Sequence, residues 1–559
     1  MIQFDDKKRE KQIKELHIKE ERALVRMLSV KYGLPYIEMS STPISNLAVS
    51  MIKEDVARDA LVGSFKIVKK TLHIAVFSPE NKKVALVLQE VKNNGYTAVL
   101  YMTSRDQLEI IWKRYKDLSF TQTTEKGVLS VQKEAFTEVV KKTKNIDGIK
   151  KYTEQMLTQK GTHRVSKILE FLIAGAFSLG ASDIHTEAQE DCVRVRYRLD
   201  GVLCDVVNVD KKTYKLLLAR LKLLSGLKLN VDADTQDGRF SVKLGETTLQ
   251  IRTSLLPGSF GENVVLRLLD PRSITRPLPK LGMNEFLLSI VQKEIRKPNG
   301  MILTTGPTGS GKTTTLYALL KTIYNPGIKI ITIEDPVEYH IKGISQTQVD
   351  KNTNYTFLNG LRAALRQDPD VIMIGEIRDS ETAKIAINAS LTGHLVFSTL
   401  HTNNASGTIP RLIDLGINPK VIGSALLASM AQRLMRRLCV SCKKAYTPEK
   451  TEFELITKIL AGANKKEKKD RSFKQLWEAV GCGECNNTGY RGRVGIYEAV
   501  LMDSAVRSVI SSSPSEKEIA KITEPQCILN MTEDGIVKIV NGETSVEELR
   551  RVINIEDSV

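Results

Sequence analysis

The chain has 559 residues, 42% hydrophobic and 26% charged, ordinary proportions for soluble globular proteins and enough length for about three or four domains. Its first 22 residues are crowded with Lys and Glu, so no signal peptide is expected, and no apolar run approaches the ~20 residues that span a bilayer. A formal charge of +17 leaves three partners open: nucleic acid, an anionic membrane surface, or water around a uniformly basic exterior.

Residues 1–31 read as a charged helix in which Ile13, Leu16, Leu24, Met27 and Leu28 recur near helical period. Its Lys/Glu mixture suits a solvated face, with a partner-binding helix as the alternative. From Lys31 to about Lys116 the signals are those of a small mixed α/β domain. Strands are expected at 64–68, 72–77 and 97–101, with a helix at 81–94. This N-terminal domain is bounded at 1–117. Residues 118–160, rich in Thr, Lys, Gln and Ser with little apolar periodicity, are expected to form a linker.

A second domain is expected over 161–272. It opens with a helical pattern from Val165 to Leu179 and continues through Ala181-Ser-Asp-Ile-His185 into a strand, Val193–Leu199. Period-two alternation puts Arg194, Arg196 and Arg198 on one face of that strand and Val193, Val195, Tyr197 and Leu199 on the other. Further basic landmarks are Gln236-Asp-Gly-Arg239, Arg252 and Arg267. Three prolines between Pro271 and Pro279 mark a hinge at 273–280. Beyond it, to residue 559, strand and helix signals alternate, the rhythm of a mostly parallel sheet covered by helices.

The first strand of that region, Met301–Thr305, runs into Gly306-Pro-Thr-Gly-Ser-Gly311-Lys312-Thr313 and then a helix to Ile323. Strand before and helix after is the setting a phosphate loop requires. Gly306, Gly309 and Gly311 let successive amides face one concavity, with Thr308, Ser310 and Thr314 completing the nucleotide contacts. Lys312 would reach the β- and γ-phosphates of ATP, and the Thr313 hydroxyl would ligate Mg²⁺. The strand after the loop closes on Glu334-Asp-Pro-Val-Glu338, which alone is no more than an acidic turn. Val371–Ile374 leads to Glu376, placed to polarise water beside a nucleotide. His394 and His401 bracket the strand Leu395–Leu400, as satisfied polar residues or as functional groups at strand ends. Cys439-x-x-Cys442 and Cys482-x-x-Cys485 suit a tetrahedral structural Zn²⁺, with Gly481 and Gly483 allowing close turns and a helix near 452–460 filling the gap. Cys192, Cys204 and Cys527 are expected to be small buried residues, and an odd total of seven cysteines argues against a disulfide framework.

In combination these motifs resemble the type II secretion and type IV pilus-assembly (extension) ATPases. The resemblance rests on 306–313, Ile333–Glu338, Leu361-Arg-Ala-Ala-Leu-Arg-Gln-Asp-Pro-Asp370, Val371–Asp379, the histidine box 392–403 and the paired cysteines, and covers roughly 165–555. It implies a cytoplasmic hexameric ring peripheral to the inner face of the cell membrane, acting on an inner-membrane platform protein. It implies a PAS-like second domain before a RecA-like ATPase domain (281–559) that carries a zinc module at about 436–490. Glu376 matches the catalytic glutamate, Glu334 the acidic-box residue, and His401 and His394 the histidines that sense the γ-phosphate. Arg239, Arg252 and Arg267 match arginines that approach nucleotide on closure; Arg362 and Arg366 match arginines of the active interface. Relatives that bind cyclic di-GMP carry repeats with an Arg-Leu-Gly start; none is found in residues 1–120, which speaks against such control. The competing class is a DNA-handling phosphate-loop translocase, suggested by the +17 charge, but the 6% aromatic content offers no stacking platform for single strands, and no nucleic-acid partner is expected.

Overall fold

The structure, a computed structural model, describes residues 6–118, 128–131, 139, 145–158, 164–270, 272 and 276–555, apart from positions 50, 69, 94, 245, 246, 351 and 352. The chain forms two units, residues 1–128 with 160–167, and residues 129–159 with 168–559. Most of the expected linker, including 119–127, 132–138 and 140–144, lies outside the described residues.

In the first unit, strands β1 (Val62–Val68), β2 (Thr71–Val76) and β3 (Thr97–Met102) form one sheet in that order, β1 antiparallel and β3 parallel to β2. Helix Lys82–Asn93 buries Val84, Val87 and Val91, the spacing of one helical face. Trp112 is held by an Nε1 hydrogen bond to the Val62 carbonyl (2.8 Å). The leading helix, Asp6–Tyr32, buries Val25 in this core while Leu16, Leu24 and Met27 stay exposed. Of the apolar residues read from the sequence, Leu28 packs against this core with Val25, so only part of that stripe faces it.

The second unit opens with an antiparallel sheet. Its strands are β4 (Val128–Val131), β5 (Asp183–Ala188), β6 (Val193–Leu199), β7 (Val202–Val209), β8 (Gln236–Leu244), β9 (Thr247–Leu256) and β10 (Asn263–Leu269), in spatial order β4-β8-β9-β10-β5-β6-β7. Strand β4 and a helix, Ile146–Thr158, arise from the stretch read as linker; the helix packs on β7. It also lies against helix Arg164–Leu179 where Gly175 carries no side chain: a Cβ there would lie 2.8 Å from Ile149 Cδ1. Alternation along β6 is as expected, its four apolar residues buried and its three arginines half-exposed. Tyr197 donates from that buried face to the Leu172 carbonyl (2.6 Å), fastening helix Arg164–Leu179 to the sheet.

A second seven-stranded sheet comprises β11 (Gly300–Thr305), β12 (Ile330–Glu334), β13 (Ser345–Gln348), β14 (Val371–Ile374), β15 (Leu395–Leu400), β16 (Leu426–Leu438) and β19 (Tyr490–Leu501). Its order is β13-β12-β14-β15-β11-β16-β19, parallel throughout except β19. A two-stranded ribbon, β17 (Lys444–Tyr446) with β18 (Leu476–Glu478), lies in the insert before β19. Every residue of β11, β12, β14 and β15 is buried, as strands covered on both faces require. Leu303, Ile374 and Val396 enter one layer, and Ile302, Met373 and Phe397 the other. Among the described residues no helix is long and apolar enough to cross a membrane.

The C-terminal helix Val546–Val552 is pinned to β16 by Glu548, which is fully buried. Its carboxylate accepts from Arg436 N (2.8 Å), Nε (2.8 Å) and Nη2 (2.7 Å) and from Arg551 Nε (2.8 Å). Burial pushes this carboxyl up, but the bonds from Arg551 and Arg436 outweigh it and hold it below its ordinary value. Because the folded state binds the proton more weakly, the contribution is present above the ordinary carboxyl range and is lost as pH falls through and below it. Glu548→Gln should cost about 3 kcal/mol at pH 7, since it leaves buried arginine charge uncompensated. Urea unfolding should show that difference shrinking as pH falls below about 4.

Candidate functional site

Parallel strands bring their carboxyl ends to one edge, where ligands of α/β folds collect. At that edge β11 turns into the phosphate loop and helix Lys312–Ile323. Gly306, Gly309 and Gly311 have φ of 140°, 79° and 92°, conformations that need glycine. Thr308 and Gly309 are exposed at the tip, Ser310 is buried, and Thr313 and Thr314 are half-buried in the first helical turn. Lys312 Nζ donates to the carbonyls of Gly306 (2.7 Å) and Pro307 (3.1 Å), folding back over the loop. Burial lowers its pKa, and the nearby Glu376 carboxylate opposes that shift.

Glu376 lies two residues past β14. Its turn is tied down by Gly375 N to the Ile333 carbonyl (2.8 Å) and by Thr399 Oγ1 to the Gly375 carbonyl (2.8 Å). One oxygen of Glu376 meets His401 Nε2 at 3.2 Å, and the other pairs with Arg378. His401 follows β15, and Thr402 N donates to Thr305 Oγ1 (2.8 Å), stitching the histidine to the strand that feeds the phosphate loop. Lysine, carboxylate and histidine thus share one edge.

His394 does not join them. It precedes β15, roughly 20 Å from His401 along a strand rising about 3.3 Å per residue. There its Nδ1 meets the Ala389 carbonyl at 3.0 Å, at the end of helix Ser380–Leu391. One strand cannot send both its ends to the same edge. Glu334 is at the right edge but is 3% exposed. Its carboxylate accepts from Thr332 Oγ1 (2.6 Å), Gln346 Nε2 (3.1 Å) and Tyr317, so its oxygens are occupied within the protein. Arg362 and Arg366 stand one turn apart on the exposed face of helix Phe357–Leu365 and its cap, with no ion pair among the described residues.

Strand register aligns Arg239, Arg252 and Arg267 across β8, β9 and β10. Arg252 reaches the acidic turn, Nη2 donating to the Val337 carbonyl (3.0 Å), and burial lowers its pKa while Glu338 opposes that. Burial raises Glu338, and Arg252 and Arg267 pull it back. Arg267 also pairs with Asp183 (3.0 Å), and Arg239 is exposed at the end of the row.

The four cysteines of 439–485 converge, their sulfurs all within 4.8 Å of one another. Cys439–Cys482, Cys442–Cys485 and Cys482–Cys485 are 3.9, 3.8 and 3.7 Å apart. Thiolates at about 2.3 Å from a tetrahedral Zn²⁺ would stand about 3.8 Å from one another, so the donor set fits. Burial alone would raise Cys485; amides of Cys482 (3.1 Å) and Gly489 (3.2 Å) aimed at its sulfur outweigh that and bring it down to about 7. The tight turns fall on Gly481 (φ 112°) and Gly489 (φ 75°), whereas Gly483 sits in a short helical turn without positive φ. The insert is filled by helix Lys450–Glu467. Cys192, Cys204 and Cys527 are only half-buried, because Cys192 precedes β6 in a turn, Cys204 lies on the less covered end of β7 and Cys527 follows a helical turn. Partners that sequence spacing could not signal include Tyr317, Gln346, Arg378 and, beneath the loop, Gln432.

Phosphate loop, parallel sheet and strand-end carboxylate define a phosphate-loop nucleotide-binding protein. Residues 158–551 match the family described as Type II/IV secretion system protein, and the chain belongs to that family. It is 45% identical over 407 residues to the type II secretion system protein E of Pseudomonas aeruginosa, covering 72% of this chain and 78% of that protein. The type II secretion system ATPase E of Vibrio cholerae is 44% identical over 402 residues, covering 71% and 77%. The X-ray structure of the Legionella pneumophila ATPase DotB matches 72% of this chain and 99% of its own with a TM-score of 0.51 at 21% identity, a likeness of fold.

Proposed function

We propose that this chain, a secretion ATPase, hydrolyses ATP to drive a type II secretion pseudopilus or a type IV pilus, as a hexamer acting on an inner-membrane platform protein. The observation that carries this is the Glu376 carboxylate held 3.2 Å from His401 on the edge where Lys312 sits. Lys312 would exchange its loop carbonyls for the β- and γ-phosphates, and Thr313 would hold Mg²⁺. Glu376 would orient and polarise the attacking water, while His401 and Arg378 hold its two oxygens in place. His401, so placed, would register the γ-phosphate through Glu376. Glu334 is better suited to bracing the acidic turn than to touching metal, and His394 to capping a helix.

Residues 161–272 would act as the PAS-like domain and 281–559 as the RecA-like motor, with 273–280 as the hinge. The row Arg239, Arg252 and Arg267 would close over phosphate, supplying charge that matches the spread of negative charge in a loose transition state. Exposed Arg362 and Arg366 are free to serve an interface with a neighbouring subunit. Cys439, Cys442, Cys482 and Cys485 would hold a structural Zn²⁺ that clamps the insert to β16 and β19. Attachment to the membrane would be peripheral, through the platform protein.

Glu376→Gln should lower kcat by about 100-fold or more, the usual worth of a positioned base, in a steady-state phosphate-release assay. Its affinity for ATP should stay within a few-fold of wild type; near-normal turnover would contradict the assignment. Atomic absorption should find one zinc ion per purified chain, and Cys482→Ser should lose it and melt at lower temperature. A metal-free wild type with unchanged melting would contradict the zinc module.

A further inference from the structure

Strand β16 pairs with β11 up to Thr305↔Ala431, so Gln432 comes level with the start of the phosphate loop. Its side chain is 1% exposed. Nε2 donates to the Ser310 carbonyl at 2.7 Å across 122 residues of sequence. The two flanking glycines of the loop also rest on this residue. A Cβ on Gly306 would lie 2.5 Å from the Gln432 carbonyl oxygen, and one on Gly311 would lie 3.0 Å from Gln432 Nε2. Gln432 is therefore the floor of the loop, touching its first glycine, its serine and its last glycine.

We propose that Gln432 is a positioning residue for nucleotide, setting the orientation of the Ser310–Gly311 peptide. A trans peptide is planar, and its C=O and N–H point in opposite directions. A donor that holds the Ser310 carbonyl downward therefore holds the Gly311 N–H upward, toward the concavity in which a phosphate is bound. The next residue of β16, Arg433, points the other way along the alternating strand and donates to the Asn403 carbonyl (3.1 Å), in the loop that carries His401. Gln432 thus sits where the phosphate loop and the histidine loop share one strand. An ordinary buried glutamine would satisfy both ends of its amide in the core; among the described residues Oε1 here has no partner, and the side-chain amide bonds only to the phosphate loop.

The proposal rests on the ATPase assignment above. The experiment measures the Kd of the full chain for a fluorescent ADP analogue, KM and kcat for ATP, and the melting temperature of the nucleotide-free protein. Gln432→Met keeps the volume and removes the donor. It should raise Kd and KM together by about tenfold, the scale of a buried polar group losing its partner, while melting little below wild type. kcat should change by less than about threefold, the pattern of lost ground-state and transition-state binding alike. Should Gln432→Met melt below the assay temperature, Gln432→Asn, whose amide is one methylene too short to reach Ser310, is read by the same criterion. Kd and KM within about twofold of wild type in a folded variant would overturn the role of Gln432 alone. A wild-type chain that fails to bind the analogue would overturn the nucleotide assignment beneath it.

Discussion

Everything at the site depends on the parallel register of β12, β14, β15 and β11, which brings four strand ends to one edge. Lys312, Glu376, His401 and the acidic turn after Glu334 emerge there from segments far apart in sequence. Sliding any of these buried strands would break its ladder hydrogen bonds and turn its apolar residues to the wrong face, so the register holds the edge together. Thr305, Thr399 and Gly375 extend that pairing one residue past the strands, which turns a general property of α/β sheets into a specific arrangement of side chains. The position of His394 follows from the same constraint, since it belongs to the opposite end of β15.

A second dependence runs along β16. Its middle supplies Gln432 and Arg433 to the phosphate and histidine loops; three residues further on Arg436 meets buried Glu548; its end leads directly into Cys439. β16 and its antiparallel partner β19 therefore link the nucleotide edge, the C-terminal helices and the cysteine cluster through continuous backbone. The antiparallel sheet adds a row of arginines whose central member already touches the acidic turn. Cross-strand register makes the row.

Much of this was legible in the residues themselves. β6, β14 and β15 were read to their end residues, because strict alternation or an unbroken apolar run leaves little freedom in assignment. The phosphate loop and the cysteine pairs were legible because their chemistry demands fixed spacing. What escaped was set by tertiary contact. Helix Ile146–Thr158 has Ile146, Ile149, Tyr152 and Met156 near helical spacing, but the Thr, Lys, Gln and Ser around it read as linker, and β4, four residues long, forms only by joining the sheet. The bonds from Tyr317 and Gln346, 17 residues before Glu334 and 12 after it, are likewise tertiary, and no spacing signals them. Gln432 lies 122 residues from the serine it holds, and no motif announces that bond.

The central claim is that the edge built by Lys312, Glu376 and His401 turns over ATP for a secretion-type motor. Phosphate release by the purified full chain, beside Lys312→Ala and with or without single-stranded DNA, tests it most directly. The account predicts ATP hydrolysis by the wild type that Lys312→Ala abolishes and DNA leaves unchanged. Turnover that survives Lys312→Ala, or that DNA stimulates strongly and added salt suppresses, would contradict it.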